Sequence, residues 1–583
     1  MKLVALLAVF SLALTAQNRT RLATGLDDIQ AAKLRADLTF LASDSMEGRM
    51  SLERGSEVAI QWIAAEFAKA GLKPAYGDSF LQPVPLVEYK MDRDNTFLKV
   101  RLHGSEQTLH APDATGNYPN DGVYKGNVVF AGFGITAPEL HYDDYAGIDV
   151  RGKIVLIFNH EPQEYDANSI FNGKGNTRYA NARAKMMIAR RHGAVALLIA
   201  PDPNHNPAAQ RGGLDAGGRG ANTLRTPRPT QAIAEEDSIP VFNVSAKLAE
   251  QLLAATGKKP SALQTAIDTT LKPQSTALGD AEAELHVATA QRKRELSYNV
   301  AGIVEGSDPK LKAETVLFSG HYDHDGRRVD GAIYYGADDN GSGTVGVVAL
   351  AHAFAKNPVK PKRTLIFVVF AAEERGLLGS YYYADHPLRP LNSTRAQINF
   401  DMIGRDEKDS NQTHGLIDIA ADTSNEVNIV GTKYSPDYRK EVENANEFVG
   451  LHLNYKWDDD TVLNVLFRSD QYPLLLHDIP AMWWFTGFHP DYHQVTDTAD
   501  KINYAKMEKI LNSLSSAASI SPTRRILRSF FRPARRNSQG SRRRSISTDF
   551  RGGDEPKVVS VDSAHSPRSV SRIVFATFRG PAS

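Results

Sequence analysis

The sequence predicts an α/β fold, a three-layer α/β/α arrangement around a mostly parallel sheet, with a small α/β domain inserted into it. Three observations lead there. From Ser297 onward, apolar runs alternate with helical segments: "TVLFSG", "GTVGVVALAHAFAK", "TLIFVVFAA", "AQINFD" and "AMWWFTG". Strand-like runs that are apolar throughout suit a parallel sheet covered by helices on both faces. Between about Gly122 and Ala288 the texture changes to shorter β-like runs, which marks a separate unit. The 583 residues also exceed one ordinary domain.

Residues 1–16 read as a secretory signal peptide. Lys2 is a short basic start, Leu3 to Leu14 is apolar, and small residues follow at Ala13 and Ala16. The run is short for a bilayer span and no other run is long or apolar enough. The expected product is secreted or periplasmic, without a membrane anchor. Asp27 to Ala42 follows as a helix with Leu34, Leu38 and Leu41 on one face, and Ser51 to Ala70 as a second ending at Gly71. These belong to the first part, 20–121, of a discontinuous larger domain.

The inserted unit, 122–288, carries the runs "NVVFAGFGI", "GKIVLIFN", "AVALLIA" and "IPVFNVS", one helical segment at Asn181 to His192, and a Gly/Arg/Pro-rich loop around Arg211 to Arg228. The larger domain resumes over 289–520. Residues 521–583, rich in Arg and Ser, lack apolar periodicity and read as a disordered basic tail.

Composition removes several chemistries. Lys+Arg and Asp+Glu balance at 68 each, so no charge excess points to nucleic acid. The chain has no cysteine, which excludes disulfides, thiolate metal sites and cysteine nucleophiles. A bound metal must use His, Asp or Glu.

The loop "GADDNGSGTVG", Gly336 to Gly346, matches G-x-G-x-x-G in its second half. A dinucleotide turn needs that motif directly after a strand, with helix amides facing a pyrophosphate. Here Asp338 and Asp339 precede the glycines and would repel the phosphates, so the loop is read as holding metal. Gly341 and Gly343 would let the next helix start tightly against the site.

In open α/β sheets, ligands bind beyond the carboxyl ends of the strands. "TVLFSG" is followed by His321, Tyr322, Asp323 and His324; "TLIFVVFAA" by Glu373 and Glu374; "QINF" by Asp401; and "AMWWFTG" by His489 and His493. Separate strands thus deliver acids and imidazoles to one edge. Mixed His and carboxylate ligands suit zinc, and they are too many for one tetrahedral ion. Two Zn²⁺ are charge-balanced by Asp338, Glu374, Asp401 and a bridging hydroxide, with His321 and His493 as neutral ligands.

At these residues the sequence resembles the di-zinc aminopeptidase family that includes aminopeptidase Y, bacterial leucine aminopeptidases and glutamate carboxypeptidase II. The motifs are "LASDSMEGRMSLERGSEVAIQWIAAEFAKAGLKP", "YNVAGIVEG", "GHYDH", "GADDNGSG", "FAAEERGLLGS", "NFDMIGR" and "DYHQVTDTADKI". The resemblance implies a zinc-exopeptidase-like fold with an inserted protease-associated domain. It implies that His321 and Asp401 bind one zinc, that Glu374 and His493 bind the other, and that Asp338 bridges them. It further implies Glu373 as general base, Asp323 orienting His321, Asp339 beside the bridge, and a cis peptide between Asp338 and Asp339. Two positions depart from the family: Ser469-Asp470-Gln471 stands where relatives have Ser-Asp-His, and Leu466-Phe467-Arg468 where some carry a Tyr. Arg468 is then the candidate oxyanion donor.

The implied function is hydrolysis of N-terminal peptide bonds on peptides with a free N-terminus, with Trp483, Trp484 and Phe485 suggesting an apolar first residue. A carboxypeptidase using Arg405 or Arg468 for the terminal carboxylate, a glutaminyl-cyclase-like enzyme, and a non-catalytic receptor-like binding protein stay open as alternatives on the same fold.

Overall fold

The computed structural model describes residues 28–110, 120–205 and 229–517, except 235, 237 and 448. The expected signal peptide, the Arg211 to Arg228 loop and the basic tail lie outside the described residues.

Two large sheets organise the chain. The ten-stranded one orders Thr230–Ile233, Leu81–Met91, Thr289–Val304, Thr364–Phe370, Thr315–His321, Thr394–Phe400, Ala481–Phe485, Glu426–Val430 and His452–Asn454, with Lys73–Pro74 pairing beside Thr289–Val304. Its centre, from Thr364–Phe370 to Ala481–Phe485, is parallel. Its flanks are antiparallel, Thr289–Val304 against Thr364–Phe370 and Glu426–Val430 against Ala481–Phe485. The expected mostly parallel sheet is therefore a mixed one. Parallel neighbours need long crossovers, and the helices Gly343–Lys356 and Leu378–Asp385 supply them between the central strands.

The central strands are apolar on both sides because both sides are covered. Val316, Phe318, Leu365, Phe367 and Val369 enter one core, whereas Leu317, Ile366, Val368 and Phe370 enter the other. The first core is closed by Ala31–Leu41, which buries Leu34, Leu38 and Leu41, and by Arg54–Ala70, which buries Ile60, Ile63 and Phe67 and stops at Gly71 with φ +82°. Helices Gly343–Lys356 and Tyr504–Ala517 complete that layer. Each such buried Leu, Ile, Val or Phe contributes about 1.5–3 kcal/mol, which fixes the strand ends relative to one another.

The second sheet orders Val241–Asn243, Ala196–Ala200, Ile154–Phe158, Gly122–Phe130, Thr276–Val287, Phe97–Leu102 and Ser105–His110 around a core of its own. Its extent corrects the expected boundary. Phe97–Leu102 and Ser105–His110, assigned from sequence to the larger domain, pair into this sheet through Thr276–Val287. Conversely, Thr230–Ile233 leaves the insert and pairs with Leu81–Met91 of the larger sheet. Ser105–His110 is an edge strand with half-buried and exposed positions only, so no apolar run announced it.

Candidate metal centre

The order of the central strands reverses at Thr315–His321. The chain goes from there to Thr364–Phe370 on one side and then to Thr394–Phe400 on the other. Such a switch point opens a crevice at the carboxyl edge. His321 ends its strand, Asp401 directly follows Phe400, and Glu373 and Glu374 follow Phe370 in a short 3-10 turn. Both glutamates are buried at this turn. It is held from below by Asp323, whose carboxylate accepts from Glu373 N at 2.9 Å and Glu374 N at 3.2 Å.

Two ligand groups meet here and share one residue. His321, Asp339 and Asp401 form the first; Asp339, Glu374 and His493 form the second. His321 Nε2 lies 3.6 Å from Asp339 Oδ1 and 3.5 Å from Asp401 Oδ1. His493 Nε2 lies 2.8 Å from Asp339 Oδ2 and 3.4 Å from Glu374 Oε1. Ligands about 2.0–2.1 Å from a tetrahedral ion stand about 3.3 Å apart, so this spacing is close to that of a shared cation.

The sequence put Asp338 at the bridge; the structure corrects this to Asp339. Asp338 turns away, accepting from Gly404 N at 2.7 Å through Oδ1 and facing His489 Nε2 at 3.2 Å through Oδ2. The turn is pinned on both sides. Asp497 Oδ2 accepts from the backbone N–H groups of Asp338 and Asp339, and Asn340 donates to Phe400 O. The cis peptide likewise lies at Asp339-Asn340, not at Asp338-Asp339. Gly343 starts the helix as expected, because a Cβ there would meet Phe400 O at 2.2 Å. Gly341 is looser, at 3.1 Å from Gly336 O.

Both histidines are oriented through their other nitrogen. His321 Nδ1 donates to Asp323 O at 3.2 Å, with Asp323 Oδ1 3.7 Å away, and His493 Nδ1 faces Asp325 Oδ2 at 3.0 Å. A ring that donates from Nδ1 keeps the Nε2 lone pair for a cation. His321 Nε2 and Asp401 Oδ1 are buried, aimed at each other's neighbourhood, and have no hydrogen-bond partner among the described residues. The other Asp401 oxygen accepts from Ser469 Oγ at 2.6 Å.

The electrostatics also call for positive charge. Burial pushes Asp339 up to about 6, with the Glu374 charge adding, and burial holds Glu373 well above the usual carboxylate range. Burial likewise pushes Asp470 up to about 7. Burial disfavours a charged His321, but Glu373 and Asp401 outweigh it and raise the imidazole well above its ordinary value. Crowded carboxylates in a desolvated site are stabilised by a multivalent cation.

Sequence reasoning gave no role to several residues. His324 is fully buried, with Nδ1 2.9 Å from Glu374 Oε1, and burial drives it down to about 3. Asp325 backs His493 as Asp323 backs His321; no local signal in "HYDHD" links Asp325 to the distant His493. Arg49 crosses beneath the site and donates to Tyr322 O, Leu41 O, Tyr335 O and Gly336 O.

A cleft of about 210 Å³ opens over the groups, with Glu373, Arg468, Leu377, Met402, Phe467 and Phe488 in its wall. Of the expected aromatics, Trp483 reaches it and donates Nε1 to Asp401 O at 2.8 Å. Trp484 points into the core on the opposite sheet face, and Phe485 packs among Trp457 and Phe488. Arg468 Nη2 donates to Gln412 at 3.3 Å, while its Nη1 has no partner among the described residues. Arg405 is paired with Asp491 at 2.8 Å and Asp497 at 3.6 Å. Gln471 donates to Leu466 O at 2.8 Å.

Comparison with known proteins finds two family models that match segments of this chain. Residues 299–518 match the model of peptidase family M28, and residues 114–252 match the PA domain. The probable leucine aminopeptidase 2 of Aspergillus oryzae (strain ATCC 42149 / RIB 40) is 27% identical over 264 residues, 42% of this chain and 47% of that protein. A probable zinc metalloprotease of Pyrenophora tritici-repentis (strain Pt-1C-BFP) is 31% identical over 172 residues, 27% of this chain and 37% of that protein. The alignments thus span about half or less of these relatives. An aminopeptidase structure from Aneurinibacillus sp. strain AM-1 aligns at TM-score 0.42 and 19% identity, covering 85% of this chain and 95% of that one.

Proposed function

From a chain that carries a peptidase family M28 region at residues 299–518 and a PA domain at 114–252, we propose an exported di-zinc aminopeptidase that removes residues from free peptide N-termini. The observation that carries this reading is the division of one carboxylate. Asp339 presents Oδ1 to the His321–Asp401 pair and Oδ2 to the His493–Glu374 pair. The mixed imidazole and carboxylate donors suit zinc. Export rests on the Lys2 to Ala16 leader pattern.

Bound zinc would lower the pKa of a shared water toward about 7 and polarise the scissile carbonyl. The chain's residues do the rest. Glu373 Oε2 sits 3.7 Å from His321 Nε2, beside the first group and in the wall of the cleft. That position suits a general base that takes a proton from the attacking water and returns it to the leaving amine. Arg468 is the donor offered to the developing oxyanion, through an Nη1 not engaged by the described residues. Asp339 and Glu374 give a free substrate amine a negative partner. Leu377, Met402, Phe467 and Phe488 favour an apolar first side chain.

The PA domain braces one wall of this cleft. Asn176 Nδ2 donates to Asn464 Oδ1 at 2.7 Å, and Arg178 Nη1 donates to Leu475 O at 2.8 Å, on either side of Phe467 and Arg468. The reading is tested by zinc-dependent release of the N-terminal residue from a free peptide, compared with its N-acetylated form.

A further inference from the structure

The inserted domain also places parallel strands side by side, on its own sheet. Ile154–Phe158 and Ala196–Ala200 are parallel neighbours, and their carboxyl ends are tied by Asn159 N donating to Ala200 O at 2.9 Å. Just beyond those ends stand His160 and Glu164 on one side and Asp202 and His205 on the other. None of these residues touches the groups around Asp339.

We propose that His160, Glu164 and Asp202 form a second, separate zinc-class cation site within the inserted domain. A nitrogen of His160 and carboxylate oxygens of Glu164 and Asp202 all lie within 4.8 Å of one another. His160 Nδ1 is 2.8 Å from Glu164 Oε2. The Glu164 carboxylate is buried, at 1% exposure, and its Oε1 has no hydrogen-bond partner among the described residues. A buried carboxylate oxygen without a donor is costly, and a coordinated cation removes that cost.

The donors are arranged for binding. Asp202 Oδ1 accepts from Asn204 N at 3.0 Å and His205 N at 2.8 Å, which fixes its carboxylate. His205 Nδ1 faces Asp202 Oδ2 at 3.1 Å, and its Nε2 faces Asp268 Oδ2 at 3.6 Å. Asp268 is in turn held by Gln163 N at 3.0 Å. His205 and Asp268 therefore form the layer behind the ligands.

Charge points the same way. Glu164, Asp202 and Asp268 gather three carboxylates around two imidazoles. The buried Lys185 lies in the field of Asp144 and Glu161 as well as of Asp202 and Glu164, and directs its ammonium to Phe133 O at 2.5 Å. Mixed imidazole and carboxylate donors select a zinc-class ion over calcium or magnesium, which prefer oxygen.

The test is zinc stoichiometry of the full chain after equilibration with Zn²⁺ alone. The parent holds one more equivalent than the Glu164→Gln/Asp202→Asn double variant, while both hydrolyse substrate at the same rate. Equal zinc content in the two proteins overturns the proposal. Because the double variant alters a buried cluster, His160→Gln is measured alongside it, and retention of the full zinc content there also overturns the proposal. A second readout uses Asp339→Asn as background, so that only the inserted site remains intact. Added Zn²⁺ raises its melting temperature, and the further change Glu164→Gln abolishes the rise; an unchanged rise contradicts the assignment. His205→Gln weakens zinc at this site by about 10–100-fold, the usual effect of removing a partner behind the ligands.

Discussion

His493 Nε2 lies 2.8 Å from Asp339 Oδ2. This contact assigns the shared carboxylate to the second of two adjacent aspartates. Asp339→Asn should therefore remove zinc from both groups and reduce activity by at least about 10²-fold. Asp338→Asn keeps an oxygen to accept from Gly404 N and changes only the partner of His489. It should keep both metals and cost about 1–3 kcal/mol of stability. Metal analysis of the two variants side by side decides between them. Loss of both metals in Asp338→Asn alone would reverse the assignment.

Glu373 and Glu374 should fail in different ways. Glu374 stands in the second ligand group, so Glu374→Gln lowers zinc content. Glu373 is outside both groups, 3.7 Å from His321 Nε2. Glu373→Gln should retain zinc and bind substrate while kcat falls by about 10²–10⁴-fold. Zinc stoichiometry measured beside kcat checks both; zinc lost from Glu373→Gln and kept in Glu374→Gln would mean that the roles are exchanged.

Ser469 should act on a bound metal through Asp401. Its hydroxyl donates at 2.6 Å to the Asp401 oxygen that faces away from His321. Ser469→Ala should weaken zinc in the first group by about 10–100-fold without removing a ligand. Competition with a graded chelator reads this directly, and an unchanged affinity would make the contact merely structural.

The inserted domain should act on substrate fit more than on turnover. Arg178 reaches Leu475 O at 2.8 Å and Asp478 Oδ1 at 2.5 Å, and Tyr472 donates to Arg178 O at 2.8 Å. Arg178→Ala releases the segment that carries Phe467 and Arg468. KM for peptides should rise several-fold with zinc content unchanged. Steady-state kinetics on single-residue amides and longer peptides separate the two effects, and a variant that loses zinc instead would contradict this division of labour.

The strand-end residues were legible because burial on both faces makes each central strand a continuous apolar run, and the first polar residue after it must sit at the sheet edge. His321, Asp401, Glu373 and Glu374 follow that rule. Asp338 and Asp339 do not, because they occupy an irregular turn with non-helical backbone at Asp339 and Asn340. Neither periodicity tells which of two adjacent acids faces the cleft there; long-range contacts from Asp497 and Asn340 decide it. The same limit hid His160, Glu164 and Asp202, because Asp202 is distant in sequence from the other two and meets them only when two parallel strands pair. Phe97–Leu102 and Ser105–His110 escaped assignment to the insert because strand pairing, not composition, places them.

The proposed reaction is zinc-dependent removal of N-terminal residues. One measurement addresses it most directly: release of free leucine from a leucyl peptide and from its N-acetylated form, by protein stripped with chelator and then reloaded with Zn²⁺. The stripped protein should release none, reloading should restore release, and only the free peptide should be cleaved. Cleavage undiminished by metal removal, or equal cleavage of the acetylated peptide, would contradict the proposed reaction.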